Sequence, residues 1–268
     1  MEHDQAGAIL LDLDGTLFDA GTAIPGAADA ITQLRADGRV VRFLTNTDSR
    51  SSSSLLTMLK ALELDVREGE LFTPVVAATA YLGRADDAGV LLLVNDEVRG
   101  DLIETNRVVP HDRATEATHV VVGDIRRELD YHALDAAYRA VAAGAELIAL
   151  HKGRYLKAAD GGHLDTGAVV AAIEYASETR ATVVGKPSRL FLQLAVASVP
   201  ADLSMSDVWV VGDDRTTDVL MGEQAGAHTV AVRTGKYPDQ TGRADYPDAE
   251  HVIDSVAGLP ELLRTSLR

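Results

Sequence analysis

Two aspartates separated by a single residue, Asp12 and Asp14, open the segment Asp12-Leu13-Asp14-Gly15-Thr16, directly after the apolar run Ala8–Leu11. A tight turn at a strand end can aim both carboxylates at one site. The chain has no cysteine, so any metal there is held by Asp, Glu or His, which favours a hard cation such as Mg²⁺. The same letters also describe a glycine-containing Asx-type turn with no further role. An EF-hand loop does not fit, because it needs a third ligand before its glycine and a Glu at position 12. Three later clusters carry further groups. Thr45-Asn46 brings a hydroxyl and backbone N–H groups to the end of Val40–Leu44, where a helix cap is the plain alternative. Lys186 stands between Gly185 and Pro187, and taken alone is a surface lysine. Asp213, Asp214 and Asp218 follow the run Val208–Val211, and alone could cap a helix in solvent. A P-loop is excluded: Lys186 is followed by Pro187 and Lys236 by Tyr237, and neither has the required upstream glycine.

These groups sit at the ends of apolar, β-rich runs. Ala8–Leu11, Val40–Leu44, Val208–Val211 and Thr229–Val232 are mostly continuous rather than alternating, as in parallel strands buried on both faces. Helical patterns over Gly26–Asp37, Ser51–Leu62, Leu190–Val199 and Asp218–Ala225 follow or precede them. Alternating strands and helices imply an open α/β sheet, which binds ligands just beyond the carboxyl ends of its strands. The middle of the chain supplies a second set, with strands at Val90–Val94, Thr118–Val122 and Glu146–Leu150 and helices at Tyr131–Ala143 and Gly167–Thr179. Asp165 or Thr166 would cap the second of these helices. The expected organisation is a core of residues 1–75 and 181–268 around an insert of residues 76–180, with a short terminal helix at 260–268.

Composition narrows the function classes. The 268 residues include 25 Lys+Arg against 41 Asp+Glu, a net charge of −16 that argues against a nucleic-acid partner. Aromatic residues are only 4%, too few for a base-stacking platform. Without cysteine, disulfides, thiolate catalysis, iron–sulfur clusters and Cys-ligated zinc are excluded. The N-terminal MEHDQAG is acidic and leads into only a short apolar run, unlike a signal peptide, and no apolar run is long enough for a bilayer. A cytoplasmic protein with no membrane partner is expected.

In order and spacing the clusters resemble the haloacid-dehalogenase-like (HAD) hydrolase superfamily. Asp12-x-Asp14-Gly-Thr, Thr45, Lys186 and Gly-Asp213-Asp214-x-x-x-Asp218 stand where its four motifs stand, and the resemblance covers essentially the whole chain. The long insert between the second and third motifs is similar to the C2a cap of subfamily IIA, the NagD and 4-nitrophenylphosphatase branch. Ala149-Leu150-His151-Lys152-Gly153-Arg154-Tyr155, the run into Gly185-Lys186-Pro187, and Gly235-Lys236-Tyr237 resemble most the phospholysine phosphohistidine inorganic pyrophosphate phosphatase group and its HDHD-type relatives. Arg215-Thr216-Thr217-Asp218 looks more like the NagD branch.

The resemblance implies an α/β fold, a Rossmann-like core with a parallel sheet plus an inserted α/β C2a cap. It further implies a Mg²⁺-dependent phosphatase acting on a small phosphorylated metabolite through an aspartyl-phosphate, with a homodimer formed through the cap. Asp12 would be the nucleophile and Asp14 the general acid and base. Asp12, the Asp14 carbonyl and Asp213 would hold Mg²⁺. Lys186 would balance the charge of Asp12 and the phosphate, while the Thr45 hydroxyl and the backbone around Asn46 would bind phosphoryl oxygens. Asp214 and Asp218 would orient metal-bound waters, with helix capping the alternative for Asp218. His151, Lys152, Arg154, Tyr155 and Asp165 are the cap-loop candidates for substrate selection, Arg154 as a clamp on a second anionic group; each taken singly also reads as solvated loop. Rival enzymes on the same core are a pyrophosphate or phosphoramidate hydrolase and a phosphomutase. A dehalogenase needs neither Asp14 nor a metal. The rival of another class is a catalytically silent metabolite sensor, against which Asp12, Asp14 and Lys186 are all intact.

Overall fold

A strand that is apolar at consecutive positions is stable only where both of its faces are covered. The computed structural model of the chain describes residues 7–85, 87–158 and 161–266. It divides into two compact units, residues 1–45, 53–72 and 186–268 in the first and residues 46–52 and 73–185 in the second. In the first unit the apolar runs form one six-stranded sheet of β1 (Ala8–Asp12), β2 (Val40–Leu44), β3 (Leu71–Phe72), β4 (Val208–Gly212), β5 (His228–Val232) and β6 (His251–Ile253). The order is β6-β5-β4-β1-β2-β3, and every pairing is parallel. The chain therefore winds outward twice from the centre, once through β1, β2 and β3 and once through β4, β5 and β6. Its direction reverses between β1 and β4, and an open α/β sheet has its ligand crevice at the carboxyl ends of such a pair. Leu11 pairs with Val211, so Asp12 ends β1 and Asp213 follows β4 one step further on, at the same edge of the sheet.

Helices Ala27–Ala36, Ser52–Ala61, Arg189–Ala197 and Leu220–Ala225 realise the expected segments. Ile31 and Leu34 of the first and Leu55 and Leu59 of the second join Ile9, Leu11, Phe43 and Val211 of the sheet in one buried cluster. Each such side chain contributes about 1.5–3 kcal/mol by leaving water. The Phe72 and Phe191 rings lie 5.3 Å apart, tilted. The sequence had not marked β3 and β6, which are short.

The second unit has its own five-stranded parallel sheet, in the order Thr182–Val183, Glu146–Ala149, His119–Val122, Gly89–Leu93, Arg107–Val108. Helices Tyr131–Ala142 and Thr166–Ser177 are the expected ones, joined by Pro74–Leu82 and Asp96–Ile103. Tyr155–Ala158 and Gly161–Leu164 pair antiparallel. The expected insert of 76–180 is too narrow at both ends. Thr73 caps the helix that begins at Pro74, and Thr182–Val183 is an edge strand of this sheet rather than part of the core. Among the described residues no helix is long and apolar enough to cross a membrane. The terminal helix runs Leu259–Ser266; its expected last residues, 267–268, and the acidic N-terminal residues 1–6 lie outside the described set.

Candidate active site

Asp12 is the last residue of β1 and is buried. The turn after it closes on the Leu13 carbonyl, which accepts the N–H groups of Thr16, Leu17 and Phe18. Thr16 turns its hydroxyl back onto Asp12 Oδ2 at 3.2 Å. Gly15 has φ +85°, and a Cβ there would lie 2.2 Å from Asp213 Oδ2. Both facts demand glycine, because the turn needs a left-handed residue and its backbone presses on a neighbouring carboxylate. Asp14, one residue earlier, keeps its side chain exposed. Desolvation of its carboxyl, then the negative charges of Asp12 and Asp19, raise its pKa above the ordinary carboxylate range. A carboxyl with a raised pKa is suited to giving a proton and taking it back.

Lys186 is buried, and its ammonium donates to Asp12 Oδ1 and, at 2.7 Å, to Asp218 Oδ1. Burial would lower its pKa, but the charges of Asp12 and Asp218 outweigh that and hold it protonated. The surface-lysine alternative is thereby removed. Asp218 sits in a widened π-helical turn, Arg215–Val219, which turns its carboxylate inward. Asp213 is buried, and its Oδ2 accepts the Lys236 backbone N–H at 2.7 Å. Ligand oxygens of Asp12, Asp213 and Asp218 all lie within 4.8 Å of one another.

Such crowding is costly for anions. Burial, then the charges of Asp12 and Asp218, push the Asp213 carboxyl up to about 8. Burial pushes Asp218 up to about 7 although Lys186 opposes it. Three buried carboxylates facing one ammonium call for protons or for a cation, and the all-oxygen donor set fits a hard divalent ion. The third side chain in this group is Asp218, whereas Asp14 was expected to contribute only its carbonyl.

Asp214 is held by protein donors on both of its oxygens. Its Oδ1 accepts Thr216 N (2.8 Å), the Thr216 hydroxyl (2.6 Å) and Gln240 Nε2 (2.8 Å), and its Oδ2 accepts Lys236 Nζ (2.9 Å). Burial would raise its pKa, but Lys236 and these donors hold it well below the ordinary range. With both oxygens engaged by protein donors, Asp214 anchors the loop that carries Lys236 and Gln240. Arg215 next to it is buried, its guanidinium bonded to the carbonyls of Gln240, Tyr246 and Pro247 and to Asp248. Thr16, Arg215 and Lys236 were not singled out as site residues from the sequence. For Lys236 a signal existed: like the other clusters it follows a sheet strand, β5, at its carboxyl end.

Thr45 follows β2, is buried, and donates its N–H to the Phe72 carbonyl at 3.3 Å. Asn46 opens the 46–52 segment of the second unit and is half-buried. Within that unit His151 is an interior residue, not a solvated loop residue. Its Nε2 lies 3.1 Å from Asp48 Oδ2, and its Nδ1 accepts the Gly153 N–H at 3.0 Å. The Thr166 hydroxyl also donates to Asp48, at 2.7 Å. Burial would lower the His151 pKa, but Asp48, with Asp165 and Asp124, raises it. Asp165 caps the helix Thr166–Ser177 and lies 4.0 Å from His151. Lys152 pairs with Glu174 at 2.7 Å. Arg154 and Tyr155 are exposed.

Two family models match this chain, one described as haloacid dehalogenase-like hydrolase over residues 9–106 and one as HAD-hydrolase-like over residues 183–259. Haloacid dehalogenase-like hydrolase domain-containing protein 2 of Bos taurus is 37% identical over 259 residues, covering 93% of this chain and 95% of the relative. The phospholysine phosphohistidine inorganic pyrophosphate phosphatase of Rattus norvegicus is 32% identical, covering 95% and 93%. Among solved structures, p-nitrophenyl phosphatase from Archaeoglobus fulgidus superposes with a TM-score of 0.87 at 26% identity, covering 96% of this chain and 99% of that one. NagD from E. coli K-12 shares the fold, with a TM-score of 0.83 at 24% identity over 94% of this chain and 97% of that one.

Proposed function

The chain belongs to the haloacid dehalogenase-like hydrolase family, and from that premise we propose that it is a Mg²⁺-dependent phosphatase of a small phosphorylated metabolite, working through an aspartyl-phosphate on Asp12. One observation carries the reading. Asp12 ends β1 with its two oxygens on the Lys186 ammonium and the Thr16 hydroxyl, in a buried group with Asp213 and Asp218.

An Asp12 oxygen attacks phosphorus as the bond from phosphorus to the leaving oxygen breaks, and Asp14 gives that oxygen its proton. Asp14 then takes a proton from the water that attacks the phosphoryl-aspartate, which frees Asp12 and inorganic phosphate. Asp14's raised pKa and exposed carboxyl suit both steps. Lys186 balances negative charge on Asp12 and the incoming phosphoryl group, which is the main task in phosphoryl transfer. The Thr45 hydroxyl and the backbone at Asn46 are assigned the phosphoryl oxygens. Mg²⁺, which Asp12, Asp213 and the Asp14 carbonyl would hold with Asp218 beside them, would offset repulsion between Asp12 and a phosphate dianion.

The test is phosphate release from a panel of phosphomonoesters, with pyrophosphate and a phosphoramidate included because of the 32% identical relative's name. Release in Mg²⁺, its loss in EDTA and inhibition by the larger Ca²⁺ are expected. Full turnover after stripping in excess EDTA would remove the metal from the mechanism.

Protonation of the carboxylate group makes metal binding pH-dependent. Asp213 and Asp218 hold protons up to about 8 and about 7 in the metal-free protein, and a cation must displace them. Mg²⁺ affinity is therefore expected to rise with pH through this window, by about tenfold per pH unit for each proton displaced. Titration calorimetry in buffers of different ionisation enthalpy reads the released protons directly. Affinity independent of pH between 6 and 8.5, roughly the span these carboxylates cover, would show that they are already ionised.

Exposed Arg154 and Tyr155 are assigned the selection of the non-reacting part of the substrate. Remote contacts of this kind can lower the barrier as well as KM. Replacing both by Ala is expected to cost about tenfold or more in kcat/KM for the best metabolite, and only a few fold for a small aryl phosphate. An unchanged ratio of the two specificity constants would place selection on other residues.

A further inference from the structure

The segment that leaves β5 touches both Gly15 and Asp213. The Thr234 hydroxyl donates to the carbonyl of Gly15, in the turn that follows Asp12. Gly235 has φ +57°, and a Cβ there would lie 2.1 Å from Asp213 Oδ2 and 2.6 Å from Gly15 Cα. The Lys236 N–H donates to Asp213 Oδ2 at 2.7 Å. The far end is pinned elsewhere. Lys236 Nζ lies 2.9 Å from Asp214 Oδ2, Gln240 Nε2 donates to Asp214 Oδ1, and the Gln240 side chain and carbonyl accept from Arg215 N and Nη1 at 2.8 Å each.

We propose that Thr234-Gly235-Lys236 is a positioning strap for Asp213, and that Lys236 locks it by binding Asp214. The assignment rests on the reading of Asp213 as a metal ligand. A carboxylate held at one oxygen by a fixed backbone N–H cannot turn about its Cβ–Cγ bond. Its remaining lone pairs then meet a cation in one direction, without reordering when the ion arrives. Lys236 is a positioning residue in this scheme: its ammonium is directed at Asp214, and it acts on Asp213 by holding its own backbone in place.

Position and charge make opposite predictions here. If Lys236 acted on the site as a nearby positive charge, removing it would tighten binding of a dication. If it acts as a lock, removing it weakens binding. A salt bridge with neither role would change stability slightly and leave metal affinity alone.

The experiment is Mg²⁺ titration calorimetry on the metal-free 268-residue chain, wild type against Lys236→Met, Asp214→Asn, the double variant and Lys236→Arg, with thermal unfolding of each. Each of the first two is expected to weaken Mg²⁺ binding about tenfold, as loss of a residue that orients a ligand does. The double variant is expected to match one single variant rather than their product, because both open the same lock. Lys236→Arg should restore most of the affinity. Should Lys236→Met not fold, Lys236→Gln reads the same quantity, because it too removes the ammonium and leaves Asp214 without that partner. Unchanged or tighter Mg²⁺ binding in the folded variants, or additive losses in the double variant, would overturn the strap while leaving the phosphatase reading intact. Failure of the wild type itself to bind Mg²⁺ would overturn both.

Discussion

Replacing Asp12 by Asn is expected to reduce phosphate release to background, a loss of at least about 10³-fold in kcat, while the protein stays folded. The amide keeps the size of the side chain and an oxygen for the Lys186 ammonium, but it has no anionic oxygen with which to attack phosphorus. The folded state should tolerate the change well in the absence of metal. Asp12 is one of three buried carboxylates whose oxygens lie within 4.8 Å, and its charge is among the causes that push Asp213 and Asp218 upward. Removing that charge relieves repulsion, so the metal-free variant is expected to melt no lower than the wild type, an instance of a site that costs stability for function. Asp14→Asn should differ in kind. With an aryl phosphate whose leaving group needs no proton, the first step can proceed and the second cannot, so phosphorylated protein should accumulate and be visible as a mass increase. Near-native kcat in folded Asp12→Asn would end the covalent mechanism.

How much of this was legible in the sequence depends on how far apart the interacting residues are. Ala8–Asp12, Val40–Leu44 and Val208–Gly212 could be read as buried parallel strands because each is a short run of consecutive apolar residues ending in polar turn chemistry. Asp12, Thr45 and Asp213 could be read as site residues because parallel strands deliver their ends to one edge of the sheet. The two-residue strands Leu71–Phe72 and Thr182–Val183 carry no period at all, and pairing partners define them. Helix Pro74–Leu82 is apolar almost throughout and Asp96–Ile103 is short and polar, so neither shows the one-sided pattern that marks a surface helix.

Side-chain pairings across the chain were illegible for a different reason. His151 had been grouped with Lys152, Arg154 and Tyr155 by proximity in sequence, yet its partner is Asp48, and burial separates it from the exposed pair. Asp214 looked like a companion of Asp213, but Gln240 and Lys236 claim its oxygens. In both cases the partners of neighbouring letters lie far away along the chain.

Lys186→Met tests the other half of the charge arrangement. The ammonium is buried between Asp12 and Asp218, so its removal takes a preorganised positive charge from the place where the phosphoryl group gains negative charge. A loss of about 10²–10³ in kcat/KM is expected, or about 3–4 kcal/mol at ~1.4 kcal/mol per tenfold. Stability should fall as well, because breaking a buried ion pair from one side strands the other; such losses reach about 3–5 kcal/mol when the stranded charge stays ionised. Here Asp218 can take up a proton instead, being already raised to about 7 with Lys186 present. The deficit against wild type should therefore be small near pH 5, where Asp218 is protonated, and grow as pH rises through neutrality. Mg²⁺ should narrow the stability deficit, since a dication can supply the missing positive charge to Asp12 and Asp218. It should not restore turnover, because methionine offers no donor to a phosphoryl oxygen. Denaturant unfolding at pH 5 and 8, with and without Mg²⁺, measures the first effect, and kcat/KM at saturating Mg²⁺ the second. A variant within about threefold of wild type in kcat/KM, less than ~0.7 kcal/mol, would mean that Lys186 serves only to hold the carboxylates together, and that another donor meets the phosphoryl group.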